Sequence, residues 1–167
     1  MIESQSISIP QVEEMPDNSR VWVFQASRNL SEEEQSFMAV NLKMFLAEWA
    51  AHGASLYASY EFRYDRFLII YLDEERAGAT GCSIDKLMNI IAAFEEKLAM
   101  SFRDRMQVVY RTPQGLAETN LNALAGLLEK GEISSETRVF NNLVPSKSAL
   151  DNSWETSITN SWHAKFI

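Results

Sequence analysis

Two periods of hydrophobic residues run through this chain, one of two residues and one of three to four. "RVWVFQA" (20–26) is β-branched and aromatic and predicts a strand. In "LSEEEQSFMAVNLKMFLAEWAAHG" (30–53), Met38, Leu42, Phe45 and Trp49 recur at spacings of 4, 3 and 4, one apolar stripe of a helix. Ser31 and Glu34 have the spacing of a capping box that opens it, and Gly53 is expected to close it in a left-handed conformation. "SLYASYEFR" (55–63) alternates: Leu56, Ala58, Tyr60 and Phe62 face one way, and Tyr57, Ser59, Glu61 and Arg63 the other. "RFLIIYLD" (66–73) is apolar on both faces, as a central strand covered on both sides should be. "SIDKLMNIIAAFEEKLAM" (83–100) predicts a second helix with Ser83 as N-cap and Ile84, Leu87, Met88, Ile91, Phe94 and Leu98 inward. "RMQVVYR" (105–111) predicts a fourth strand.

The resulting order, β-α-β-β-α-β, is that of an α+β, ferredoxin-like domain spanning residues 20–111, with two helices on one face of a four-stranded antiparallel sheet. Residues 1–19, with Pro10, Pro16, Asp17 and Asn18, read as a loosely held arm. Residues 112–167 read as a C-terminal extension packed on the core: "TPQG" breaks the chain, a helix covers about 116–130, and a short strand "RVFNNLV" (138–144) follows. Beyond Pro145 come a polar loop and an aromatic tail, "SWETSITNSWHAKFI". A sheet with helices on one side needs its other face covered, and Trp154, Ile158, Trp162 and Phe166 are the anchors available in the tail.

Charge narrows the partners. The 167 residues carry a formal net charge of −8, with no strong cluster of Lys and Arg, which argues against nucleic acid and anionic membranes as partners. "FLIIYL" is too short to span a bilayer, the N-terminus lacks the pattern of a signal peptide, and the single cysteine cannot form an internal disulfide, so a cytoplasmic location is expected. The partners expected are a small ligand or a protein, a homodimer included.

The densest group of small residues, "ERAGATGCSID" (75–85), follows the apolar strand and holds the only cysteine. "FLIIYLDEE" has the outline of a Walker B strand, with Asp73 and Glu74 as its acids. A magnesium-binding carboxylate of that kind works beside a phosphate loop, G-x-x-x-x-G-K-[ST], and the chain has none. The stretch is therefore expected to be a tight entry into the second helix, with Gly78 and Gly81 supplying backbone freedom and Asp85 complementing the helix dipole. Free N–H groups at that helix start make Gly81, Cys82, Ser83 and Asp85 candidate ligand-binding residues. Cys82 also stands where a helix dipole favours a thiolate. In the expected topology His52 and Arg111 reach the same edge of the sheet, so His52 is the nearest candidate base if Cys82 is a catalytic nucleophile. His163, between Trp162 and Phe166, is either docked with the aromatic tail or carried by it to a pocket. Arg63, Asp65 and Arg66 flank a hairpin turn, as a solvated turn with weak ion pairs or as a contact for an anion or partner, and Asn141 and Asn142 suit a turn or the binding of a peptide backbone. Paired metal-ligand spacings such as C-x-x-C are lacking, so neither a metal nor another cofactor is expected.

"RYDRFLII", "GCSIDK", "VFNNLV" and "SWHAKF" resemble a family of small bacterial proteins that often carry the label "ABC transporter ATPase", over about residue 15 to the end. The label presupposes the missing phosphate loop, and the resemblance implies no other activity. "LAGLLEKGEISSETRVF" also resembles the helix-then-strand pattern of GYF-like modules, which bind peptides, through Leu124, Leu128, Gly131, Ile133, Thr137 and Val139. The sequence thus points to a non-enzymatic ligand- or protein-binding module rather than an ATPase. The alternative is a small thiol-dependent enzyme using Cys82 with a histidine.

Overall fold

The computed structural model describes residues 7–167. Among these, β1 (Arg20–Gln25), α1 (Glu32–Glu48), the short strands β2 (Ala50–Ala51) and β3 (Ala54–Ser55), β4 (Ala58–Arg63), β5 (Phe67–Leu72) and α2 (Gly81–Leu98) come first. They are followed by β6 (Gln107–Thr112), β7 (Gly115–Asn120), α3 (Leu124–Glu129), β8 (Arg138–Phe140), α4 (Lys147–Ser153) and β9 (Glu155–Ser157). The architecture is α+β, with three antiparallel sheets ordered β1-β5-β4, β2-β3 and β7-β6-β8-β9.

β5 is the central strand that its two apolar faces require, and all six of its residues are buried. Leu68, Ile70 and Leu72 pack with Met38, Leu42 and Leu46 of α1 and with Leu87, Ile91 and Phe94 of α2. Phe67, Ile69 and Tyr71 turn to the opposite face, against Val109, Phe140, Leu150 and Trp154 from the C-terminal half. Phe67, Phe140 and Trp154 form a close aromatic trio, with ring centroids 4.7–4.9 Å apart. A third apolar cluster, including Val108, Leu121, Leu124, Ile133, Val139 and Ile158, packs around the sheet β7-β6-β8-β9.

The four strands expected in one ferredoxin-like sheet do not hydrogen-bond as one. β6 pairs with β7 and β8, and β1 pairs only with β5. The cause lies in "TPQG". Thr112 and Gly115 face each other across a hairpin, Gly115 has φ +121°, and the chain returns as β7 instead of continuing into the helix expected over 116–130. Leu116, Ala117 and Glu118 are good helix formers, but pairing with β6 overrides that preference, and α3 keeps only six residues. The expected polar loop after Pro145 contains α4, whose N-cap Ser146 accepts from the Ala149 N–H at 3.1 Å.

Two helix ends also depart from expectation. α1 stops at Glu48, and His52 and Gly53, with φ of 48° and 78°, make the tight turn between β2 and β3 instead of a helix stop. α2 begins one turn earlier than expected. Its N-cap is Thr80, and Ser83 occupies the third helical position, where it completes the capping box. Of the arm expected over residues 1–19, residues 1–6 lie outside the described residues. The remainder is held: the Pro10 carbonyl accepts from Ser59 Oγ at 2.8 Å, the Met15 carbonyl accepts from Lys147 Nζ at 2.7 Å, and the Met15 side chain is buried. No helix among the described residues is long and apolar enough to cross a membrane.

Candidate functional site

The glycine-rich loop before α2 is closed by its own residues. Asp73 is buried, and its carboxylate accepts from the Glu75 N–H at 3.1 Å and from Arg76 Nε at 3.2 Å. Glu74 accepts from the Ala79 N–H at 3.1 Å and lies 3.6 Å from Arg20. Thr80 Oγ1 accepts from the Ser83 N–H at 3.2 Å, and Ser83 Oγ accepts from the Thr80 N–H at 2.8 Å. Neither Gly78 nor Gly81 has a positive φ, and a Cβ at Gly81 would meet nothing within 4 Å, so neither glycine is needed for the backbone path expected of it.

Cys82 is exposed on the first turn of α2 and hydrogen-bonds to no histidine among the described residues. His52 and Asp85 are also exposed, while Ser83 is buried and committed to the cap. The Ser83 carbonyl accepts from Trp49 Nε1 at 2.9 Å, which ties α1 to α2. Arg111 is engaged at the far end of the sheet. It pairs with Glu155 and lies 4.8 Å from the ring of Tyr64, in the turn before β5, whereas α2 follows the other end of β5. The hydrogen bond from Arg111 holds the Glu155 carboxyl below its ordinary range, and Glu155 raises Arg111 in return. Arg111 therefore does not join Cys82 and His52, and no hydrogen bond links Cys82 to His52 among the described residues. Arg66 is likewise structural: it is buried, donates to the Ala26 carbonyl at 2.6 Å and pairs with Glu118 of β7.

A cleft of about 660 Å³ lies elsewhere, along the edge of β1 that faces away from β5. β1 supplies one wall, from Arg20 to Gln25. Residues 102–107 and 142–145 form the other sides, and Trp162 and His163 close it from the tail. Phe102, Leu121, Phe140 and Val144 give an apolar interior, and Arg20, Arg103 and Arg105 stand against a single acid, Asp104. Arg20 and Arg103 pair with Glu74 and Glu95 outside the lining, so Arg105 is the lining's arginine without an ion pair among the described residues.

Amide side chains brace its deep end. Gln25 Nε2 donates to the Gln107 carbonyl and Gln107 Nε2 to the Ser27 carbonyl, both at 3.0 Å. Asn142 Nδ2 donates to Gln25 Oε1 at 3.1 Å, and Asn142 Oδ1 accepts from Trp154 Nε1 at 2.9 Å. His163 is buried and stacked on Trp162 with ring centroids 3.9 Å apart. Its Nδ1 is 2.7 Å from Ser161 Oγ, and burial lowers its pKa to about 4, so the ring is neutral at physiological pH. The Trp162 indole N–H is buried without an acceptor among the described residues.

Of the catalytic and ligand-binding candidates Gly81, Cys82, Ser83, Asp85, Arg111, His52 and His163, the last lines this cleft and the others do not. Asn142, which the sequence offers for a turn or for binding a peptide backbone, lines it too, whereas Trp22, Val23, Gln25 and Arg105 carry no site signal in the sequence. They belong to a strand edge and two connecting segments, and their importance comes from a missing neighbour, which leaves no motif. No protein-family model, curated protein or solved structure matches the chain.

Proposed function

We propose that this chain is a ligand- or protein-binding module whose site is the cleft beside β1. In this reading β1, α1, β4, β5 and α2 are a ferredoxin-like core whose fourth-strand position is left as a binding groove. The observation that carries it is the position of the cleft, an apolar interior with Arg105 in its lining set against an unpaired strand edge. On this reading the chain is not an ATPase, whatever label the family it resembles carries. The loop after β5 supports that view, since Asp73 and Glu74 spend their carboxylates on the loop itself. A thiol enzyme has less support, because a thiol nucleophile is activated by a hydrogen-bonded base and Cys82, exposed on α2, has no hydrogen bond to a histidine among the described residues.

The test is a thermal-shift screen of small compounds and peptides on the wild-type chain and on Met106→Trp. Met106 is a half-exposed residue of the cleft wall, and the substitution fills the groove. Compounds that raise the melting temperature should lose their effect in the variant. Hits indifferent to Met106→Trp but abolished by Cys82→Ser would move the site to α2 and overturn the reading.

A further inference from the structure

We propose that the cleft receives an extended segment of a partner protein, flanked by acidic residues, which adds to β1 as a strand; this rests on the reading of the cleft as the binding site. The argument begins with the phase of β1. The Val21 N–H donates to the Pro145 carbonyl at 3.2 Å, and the Ser27 N–H donates to the Ser101 carbonyl at 2.8 Å. The Ala26 N–H instead donates toward β5, to the Arg66 carbonyl at 2.8 Å. Backbone direction alternates in an antiparallel strand, so even-numbered residues bond to β5 and odd-numbered residues face the cleft. Between the two tied ends, the C=O of Val21 and both the N–H and C=O of Val23 and Gln25 face the cleft side. None of these groups has a hydrogen-bond partner among the described residues.

Donors and acceptors repeated at two-residue spacing are what another backbone matches. A small anion would use only the donors, and a wholly apolar molecule would use neither. The chain itself begins the pairing: Arg20 and Ser146 form an antiparallel bridge, after which residues 142–145 leave β1 and line the groove. An incoming strand continues where this segment departs. The side chains of such a strand alternate in direction, which lets apolar residues meet Phe102, Phe140 and Val144.

Charge sets the flanks. Arg105 makes no ion pair among the described residues, while Arg20 and Arg103 are held by Glu74 and Glu95 outside the cleft lining. A carboxylate at an end of the segment complements Arg105, the arginine of the lining left without an ion pair among the described residues.

The experiment selects a random nine-residue peptide library on the immobilised full chain, with Met106→Trp as the counter-selection. The enriched peptide is then synthesised with each backbone amide N-methylated in turn, and affinity is read by fluorescence anisotropy. Expected are peptides with alternating apolar residues between Asp or Glu flanks, bound about tenfold more weakly when the flanks are changed to Lys or when Arg105→Glu is introduced. N-methylation should cost about tenfold at every second position of the paired stretch and little at the positions between, because only alternate amides point to β1. Val23→Pro, which removes one edge donor, should weaken binding; should it not fold, the N-methyl series carries the test unaided. A flat N-methyl profile, basic flanks or no enrichment over Met106→Trp overturns strand addition. If small compounds still bind in a Met106→Trp-sensitive way, that failure leaves the cleft reading standing. A concentration-dependent dimer in sedimentation that excludes the peptide would place a second copy at β1 and overturn the partner assignment.

Discussion

The loop before α2 and the groove beside β1 are both rich in polar groups, but they differ in where those groups spend their hydrogen bonds. The loop runs into the only cysteine on the first turn of α2 and holds most of the densest run of small residues, and several of its polar side chains serve the loop and the helix start: Asp73 with Arg76, Glu74 with the Ala79 N–H, Thr80 with Ser83. Beside β1 no run of residues stands out, yet consecutive odd-numbered backbone groups and a buried indole N–H lack partners among the described residues. Buried or cleft-facing polar groups without partners cost free energy, which a ligand can recover. A segment that looks like a motif can thus be a finished piece of structure, and a strand with an ordinary sequence can carry the site.

The sharpest way to break this contrast is to remove the wall behind the groove. Trp154 is buried, packs on Phe67 and Phe140, and orients Asn142, which in turn holds Gln25. Trp154→Ala should destabilise the chain by about 3–5 kcal/mol in chemical denaturation, with the groove losing ligand before the loop is affected. Next in size is an effect of pH. His163 has its pKa lowered by burial to about 4 against 6.5 when unfolded. The unfolded chain therefore takes up the proton first, and stability falls as pH drops from about 6.5 toward 4, by on the order of 2–3 kcal/mol. Denaturant midpoints across that range should show the loss, and His163→Gln should remove it. The window lies above that of Glu34, whose pKa is held near 2 by the hydrogen bond from Arg28, so the two are separable. Smallest is the loop's own cap. Thr80→Ala should cost about 1 kcal/mol in the same denaturation assay and leave ligand binding unchanged.

The first half of the fold was legible because its signals are periodic. The stripe of Met38 and Leu42, the all-apolar β5 and the face of Leu87, Ile91 and Phe94 each predict their element and its buried side. The second half was less so. Leu116, Ala117 and Glu118 carry a helix preference that β6 overrules, and "SKSALDNSW" is polar enough to pass for a loop although Leu150 buries α4 against the sheet. The candidate site was the least legible part. His163 was marked from its aromatic neighbours, but β1 was read as an ordinary strand. Whether an edge stays open is decided by where β6 goes, some eighty residues later, and periodicity carries no record of that.

The central claim is that the backbone of β1 is open on the cleft side. Amide hydrogen exchange of residues 21–25, followed residue by residue, tests it most directly. The account predicts slow exchange at Val21, Trp22 and Phe24, whose N–H groups are bonded to Pro145 or directed to β5, and fast exchange at Val23 and Gln25 that slows when a cleft ligand binds. Uniformly slow exchange along all five residues in the free chain would mean that the edge is already paired, and would contradict it.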